Sequence, residues 1–315
     1  MADMKKINSK KAFKISLIVY AAVIVLGIIA TLIFGLKLDI NFAGGTRITY
    51  SYKGEVVQKD FEDTVKTVIK DDLKITQSES FAGDTKTFVI TVSGKKTVSA
   101  DNQTALTTAL TKKFEKNNFE IYDANSVNPS IAGSFFAKSL VAVLITAIFV
   151  VAYVGVRFRK IGGVSAALTA LCALVLDLFV SFFVCAIFRL EIDSNYMAVV
   201  LTLLGYSLND TIVVYDRIRE NKKYYPKLAI SENMDITTGG ILTRNIVTTA
   251  TTILAVLTII VVSEIYSLTS LRTFAIPMAF GLISGCFSSL FVAGPLWVFW
   301  REYREKHMPA KKKKA

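Results

Sequence analysis

Two aspartates stand where a carboxylate is expensive. Asp177 lies inside Leu174-Val175-Leu176-Asp177-Leu178-Phe179, and Asp210 inside Gly205-Tyr206-Ser207-Leu208-Asn209-Asp210-Thr211, each within a long apolar run. Holding such a group at the centre of a membrane-spanning helix costs about 2.5–3.5 kcal/mol on insertion scales, so a chain keeps it for packing against partners or for function. The chemistry open to it there is the binding and release of a proton. A third group, Arg244, opens another apolar run and is followed by Thr248, Thr249, Thr251 and Thr252. At helical spacing Arg244, Thr248 and Thr251/Thr252 share one face. Asp210 sits about 9 Å from the end of its own run, the same end as Arg244, at 1.5 Å per residue. A switchable pair is therefore predicted, in which protonation of Asp210 releases Arg244 and deprotonation restores the contact. The plainer readings are a neutral Asp hydrogen-bonded between helices and an Arg whose long side chain reaches back to the interface. Tyr206 and Asn209, polar neighbours on the same run, join Asp210, Arg244 and Asp177 as candidate relay residues.

The elements that must position these groups are membrane spans. Of the 315 residues, 52% are hydrophobic, and they are gathered into six blocks: Ile15–Phe34, Phe135–Tyr153, Val164–Phe188, Tyr196–Tyr215, Ile246–Val262 and Phe274–Trp300. Each is long enough to cross a hydrocarbon core of about 30 Å. One such block fits a buried helix of a soluble enzyme, but six would need a core larger than a chain of this size encloses. The first block follows a lysine-rich start that also suits a signal peptide. It ends at Gly35-Leu36-Lys37 without an Ala-x-Ala-like site and is read as a retained anchor. Last-span Gly281, Ser284, Gly285, Ser288 and Ser289 have the spacing that lets another helix approach closely, which reads as packing rather than chemistry.

The basic residues set the orientation. Lys5, Lys6, Lys10, Lys11 and Lys14 precede the first span, Arg157, Arg159 and Lys160 follow the second, and Arg217, Arg219, Lys222, Lys223, Lys227 and Arg244 lie between the fourth and fifth. The tail adds Arg301, Arg304, Lys306 and Lys311 to Lys314, whereas the opposite short links carry Arg189 and Arg272. The positive-inside rule then makes 1–14 and 301–315 cytoplasmic tails, 15–35 the first span, 36–134 an extracytoplasmic domain and 135–300 the remaining five spans. A net charge of +12 suits nucleic acid, but most of it sits where membrane topology requires it. The tail is matched to anionic lipid or a ribosome rather than to a base sequence, and no nucleic acid is expected. Cys172, Cys185 and Cys286 fall within spans, so the 36–134 domain has no disulfide. A cysteine placed at Thr85 is predicted to react with an impermeant thiol reagent added outside intact cells, and one at Lys222 is not. Labelling at Lys222 overturns this orientation.

Residues 36–134 alternate like a small α+β domain. Thr46–Tyr52 reads as a strand, Val56–Leu73 as a helix, and Lys74–Ser80 and Lys86–Ser93 as strands about a Gly83-Asp84 turn. Asp101–Asn117 is then helical and Phe119–Val127 a closing strand. The order β-α-β-β-α-β is ferredoxin-like, a pattern that hosts unrelated functions. No metal spacing and no nucleophile–base pair is present, and the sole His is His307 in the tail. No cofactor, metal or catalytic site is predicted, and the chain is not read as an enzyme.

Gly205-Tyr206-Ser207-Leu208-Asn209-Asp210-Thr211-Ile212-Val213-Val214-Tyr215-Asp216-Arg217-Ile218-Arg219-Glu220-Asn221 resembles the fourth-span signature of the SecF side of the SecD/SecF family of bacterial protein-export subunits, in the RND superfamily. Asn41-Phe42-Ala43-Gly44-Gly45-Thr46 resembles the family's Asp-Phe-Thr-Gly-Gly-Thr, and Val127-Asn128-Pro129-Ser130 its Val-Gly-Pro stretch. Leu242-Thr243-Arg244-Asn245-Ile246-Val247-Thr248-Thr249-Ala250-Thr251-Thr252 resembles the start of its fifth span. The likeness covers nearly the whole chain. Asn41 replaces the family's Asp, which puts a carboxylate's role at the domain entrance (Asn41, Gly44, Gly45, Thr46) in doubt, and Ala43 and Asn128 also depart from it.

The resemblance implies an α-helical membrane protein: a six-span RND-type half with an extracytoplasmic ferredoxin-like domain between spans 1 and 2. It implies pairing with SecD as a pseudo-twofold twelve-span unit beside SecYEG in the bacterial plasma membrane. Such a pair draws on the proton-motive force late in preprotein export, and Asp210 and Arg244, with Asp177 as companion, take the proton-pathway role. Three alternatives stand against this. An intramembrane aspartyl protease carries Gly-x-Gly-Asp, where this chain has Ser207-Leu208-Asn209-Asp210. A small-molecule RND exporter normally has both repeats in one chain. A translocon scaffold without proton chemistry is separated by an Asp210→Asn complementation test.

Overall fold

The computed structural model describes residues 6–69, 73–79, 85–93, 98–266 and 268–307. Six helical spans carry the membrane half, and a small sheet domain stands between the first two. The spans are α1 (Ser9–Phe34), α5 (Pro129–Arg157), α6 (Gly163–Ile187), α7 (Ser194–Tyr224), α8 (Ile230–Ile265) and a composite last span. The last span runs through α9 (Thr269–Ser288), a π-helical turn (Ser289–Ala293) and α10 (Gly294–His307). The helices outrun the apolar blocks because hydropathy marks only the part inside hydrocarbon. Asn8 caps α1 by accepting from the Lys11 N–H, and Pro129 at the start of α5 has no donor to lose there. The outer surface is lined with large apolar side chains, Leu32 at 81% exposed and Phe149 at 70% among them, as a lipid-facing surface requires. The last span is the most enclosed and packs against α6, α7 and α8.

The sheet domain is built from β2 (Gly45–Lys53), α3 (Gln58–Val68), β3 (Leu73–Glu79), β4 (Thr85–Ser93), α4 (Ala100–Lys113) and β5 (Glu120–Val127). Its antiparallel sheet has the order β3-β4-β2-β5, as the ferredoxin-like pattern requires. Even-numbered residues Ile48, Tyr50, Tyr52, Phe88 and Ile90 point to one face and pack with Phe61, Val65, Leu106 and Leu110 of the two helices. Phe61 stacks on Phe88 at 4.0 Å between centroids. The helix expected to run through Asn117 ends at Lys113, where the chain tightens and Asn118 turns left-handed. The expected Gly83-Asp84 turn, the N-terminal Lys5 and the Lys311–Lys314 tail lie outside the described residues.

A short stem joins the two parts. After α1 come a two-residue strand β1 (Lys37–Leu38) and one turn of helix, α2 (Ile40–Ala43). The strand β1 pairs in parallel with β6 (Glu191–Ile192), which lies in the link between α6 and α7. Phe42 is buried against Cys185, Ile192, Tyr196 and Val200 and stacks on Phe135 at 5.6 Å. Gly44 ends α2 at φ +79°, and a Cβ there would lie 2.8 Å from the Pro129 Cα. Left-handed backbone and steric contact act together, so Gly44→Ala is expected to destabilise the stem by about 1–3 kcal/mol. Thermal unfolding in lipid nanodiscs measures this, and an unchanged midpoint contradicts it.

Candidate functional site

Asp177 sits on α6 with 1% of its surface exposed. Its carboxylate accepts three hydroxyl bonds: from Ser207 of α7 at 2.6 Å, Ser284 of α9 at 2.6 Å and Ser288 of α9 at 2.8 Å. Ser284 and Ser288 stand one turn apart on one face of α9, so both reach the same acid. Tyr20 of α1 donates to the Ser284 carbonyl at 3.0 Å and touches its hydroxyl at the same distance. A Cβ on Gly285 would come within 3.1 Å of Ser207, which is why α7 and α9 approach closely enough for these short bonds. Ser289 continues the network to Thr211 at 2.9 Å and to the Ser207 carbonyl at 3.2 Å. The π-helical turn begins at this residue, and such bulges commonly re-aim side chains at functional positions. The last-span serines therefore correct the packing-only expectation. The small residues do bring the helices together, and the closeness lets their hydroxyls satisfy a buried carboxylate.

Asp210 lies on α7, one turn beyond Ser207, and is 3% exposed. Its Oδ2 has no hydrogen-bond partner among the described residues. On α8, Asn245 Nδ2 is likewise buried and unpartnered among the described residues, and Cys286 lies within reach of Thr249 and Asp210. An unpaired buried polar atom costs roughly 1–3 kcal/mol, and native proteins hold few of them. Two such atoms, one of them on an acid, lie on the packed helices α7 and α8.

The expected Asp210–Arg244 contact is not made. Arg244 lies within electrostatic range of Asp210, yet no ion pair joins them among the described residues. The reason is helical phase. Arg244, Thr248 and Thr251 fall on the exposed flank of α8, while Asn245 and Thr249, one residue further on, are 2% and 4% exposed and face inward. One residue is 100° of helix, enough to carry a side chain from the core to the rim. Asn209 lies on the exposed flank of α7 with Thr202 and Gly205. Tyr206 is half-buried and ties α7 to α8 by contact with Thr252 Oγ1 at 3.0 Å. Among the described residues, no group of three His, Cys, Asp or Glu has the arrangement of a metal site.

At the domain entrance all four motif residues have structural tasks. Asn41 donates to Asp39 at 2.6 Å. Gly44 makes the turn beside Pro129, and Gly45 opens β2. Thr46 accepts from the Val98 N–H at 2.9 Å and touches Ser126 at 3.0 Å. A carboxylate is present here after all, two residues before Asn41: Asp39, 2% exposed, is paired with Arg47. Arg47 also meets Glu191 at 2.7 Å, and Glu191 meets Lys74 at 2.7 Å. Sequence reading missed Tyr20, Ser207, Ser284 and Ser288, for which the four-residue spacing of the two last-span serines was the available signal. It also missed Asp39, Arg47, Lys74 and Glu191.

Comparison with known proteins bears on the same chain. The family model for the protein export membrane protein SecD/SecF, C-terminal part, matches residues 106–303. The SecDF protein translocase subunit of Bacillus subtilis is 34% identical over 294 residues, covering 89% of this chain and 36% of the relative. This chain thus spans about a third of that longer protein. The SecF subunit of Borreliella burgdorferi is 30% identical over 299 residues, covering 92% of this chain and 96% of the relative. The crystal structure of SecDF, a translocon-associated membrane protein from Thermus thermophilus, superposes with a TM-score of 0.77 at 23% identity, over 94% of this chain and 39% of that one. That likeness establishes the fold. With well over half its length inside the family model and near end-to-end similarity to single SecF subunits, the chain belongs to the SecD/SecF family of protein export membrane proteins.

Proposed function

We propose that this chain is a SecF-type subunit of the Sec export machinery, working with a SecD-type half beside the SecYEG channel and using the proton-motive force to advance preproteins late in export. The observation that carries the reading is Asp210: a buried acid with an unpartnered oxygen, one helical turn from the serine that holds a second buried acid, Asp177. A carboxylate so placed gains or loses a proton with no competing partner to displace. One proton crossing about 100 mV releases roughly 2.3 kcal/mol, enough to bias a two-state motion about fiftyfold. Arg244 then acts as the neighbouring charge that favours the ionised state, drawn closer in a second conformation. Both termini lie in the cytoplasm and the sheet domain outside, in the bacterial plasma membrane, where the domain works on the emerging chain.

The partner follows from the exposed flanks. Thr202, Gly205 and Asn209 on α7 and Arg244, Thr248 and Thr251 on α8 are exposed at or near membrane depth. Polar and charged groups at that depth face protein or a water-filled path rather than lipid. A second six-span half covering them gives each a polar environment. Reconstitution of purified channel, export ATPase and this chain is expected to show a gradient-dependent gain in export only when the SecD-type half is added. A full gain without it contradicts the assignment.

A further inference from the structure

We propose that Glu191 is the positioning residue through which the two acid-bearing spans turn the sheet domain: it sits in the link between α6 and α7 and is gripped from the domain by Arg47 and Lys74. The inference rests on the proton-coupled reading above. It adds the physical path by which a change at Asp177 or Asp210 leaves the membrane.

The path begins with connectivity. Asp177 is on α6 and Asp210 on α7, and the two helices are joined by the six residues Phe188–Asp193. Any sliding or rotation of α6 against α7 is collected at that link. The link does not hang free. Its strand β6 pairs with β1 of the stem, and the Asp39 N–H donates to the Ile192 carbonyl at 3.1 Å. Asp193 caps α7 by accepting from the Tyr196 N–H at 2.9 Å and also accepts from Thr273 of α9 at 2.9 Å. The link is thus anchored to the same last span whose serines hold Asp177.

Contact with the domain is made at two points. Glu191 Oε2 takes Arg47 of β2 and Oε1 takes Lys74 of β3, each at 2.7 Å. In the sheet Arg47 and Lys74 are both registered opposite Thr91 of β4, so they stand level, two strands or about 9.6 Å apart. By strand alternation they belong to the face opposite the one covered by α3 and α4. Thr91 between them is nonetheless 7% exposed, as expected if the α6–α7 link covers that face. One attachment would leave the sheet free to pivot; two attachments to one carboxylate fix its direction as well as its distance. Asp39 steadies the arrangement from the stem by pairing with the same guanidinium.

The charge balance makes Glu191 more than a tether. Lys37 of β1 is held below the usual lysine range by burial, then by Lys74 and Arg189, with Glu191 acting in the opposite sense. Lys37, Arg47, Lys74 and Arg189 therefore crowd around two acids, Asp39 and Glu191. Neutralising Glu191 breaks two ion pairs and leaves these cations to repel one another, which favours a domain released from the link. Stability is not the point of such pairs. Part-exposed ion pairs contribute little to stability, so their loss changes where the domain sits more than whether it folds.

The test uses the chain assembled with its partner half in nanodiscs, with Cys172, Cys185 and Cys286 replaced and spin labels attached at Thr108→Cys on α4 and Ser270→Cys at the start of α9. Distance distributions are compared for four proteins: unaltered, Asp210→Asn, Glu191→Gln and the double variant. The expected result is a shift on Asp210→Asn in the unaltered background that is lost in the Glu191→Gln background, with thermal stability retained in both. In inverted vesicles Glu191→Gln is expected to lower the gradient-dependent part of export about fivefold or more, the size of an ordinary coupling energy, while Glu191→Asp, which keeps the charge, restores most of it. Equal shifts on Asp210→Asn with and without Glu191 overturn the role of Glu191 and leave the proton reading standing. No shift in either background overturns both.

Discussion

Asp210→Asn is expected to leave the chain folded and assembled and to remove the whole gradient-dependent part of export. Asparagine matches aspartate in shape, so the packing of α7 against α8 and α9 is retained. It does not ionise, so the step in which a proton arrives and leaves is gone. The buried Oδ2 of Asp210 has no hydrogen-bond partner among the described residues, so the exchange breaks no hydrogen bond at that oxygen. The exchange changes little in volume, and the variant is expected to be about as stable as the original. The assay is export into inverted vesicles with ATP, with and without a proton gradient. Retention of the full gradient-dependent gain in the variant makes Asp210 a structural polar contact and favours the scaffold reading.

Asp177 is expected to behave in the opposite way. Three serine hydroxyls from two helices point at its carboxylate. Asp177→Ala removes their common acceptor and opens a hole where α6, α7 and α9 meet. Hydroxyls on helices can fall back on a backbone carbonyl, as Ser288 already does toward Gly285 at 3.2 Å, so the penalty is less than three full lost bonds. A loss of roughly 2–4 kcal/mol follows from unsatisfied buried groups of this kind. Asp177→Asn keeps one acceptor oxygen and is expected to cost about a third as much, on the same reasoning. The measurement is the unfolding midpoint of both variants in nanodiscs, with folded yield beside it. If Asp177→Ala unfolds at the same point as the original chain, the serine cage contributes nothing to holding the bundle together.

The contrast between the two acids shows what the sequence could and could not reveal. Both stood out because a charged residue inside an apolar run is conspicuous whatever surrounds it. Their environments did not, since serines in a span are common and cheap, and Ser284 and Ser288 carry the same small-residue signature as a packing stripe. The phase of α8 was ambiguous for a related reason. Arg244/Thr248 and Asn245/Thr249 are two polar pairs one residue apart, and no apolar contrast between them says which points inward. The sheet domain was legible in outline, because alternation along β2 and β4 places Ile48, Tyr50, Phe88 and Ile90 on one face. Helix ends were less so, since the membrane helices continue beyond hydrocarbon where hydropathy no longer marks them. The joint at Glu191 was invisible in the sequence. It brings together residues from the stem, two strands and a link between spans, and nothing local to any one of them announces the others.

The claim at the centre of this account is that the carboxyl at position 210 exchanges a proton inside the membrane half. Infrared difference spectroscopy on the lipid-embedded chain with its partner half, stepping pH on both sides, observes that event directly through the carboxylic-acid carbonyl band. The account predicts a band that grows and fades with pH in the unaltered protein and is missing from the difference spectrum of Asp210→Asn, with any contribution from Asp177 unchanged. Identical difference spectra for the two proteins across the pH range would mean that position 210 takes up no proton, and would contradict the account.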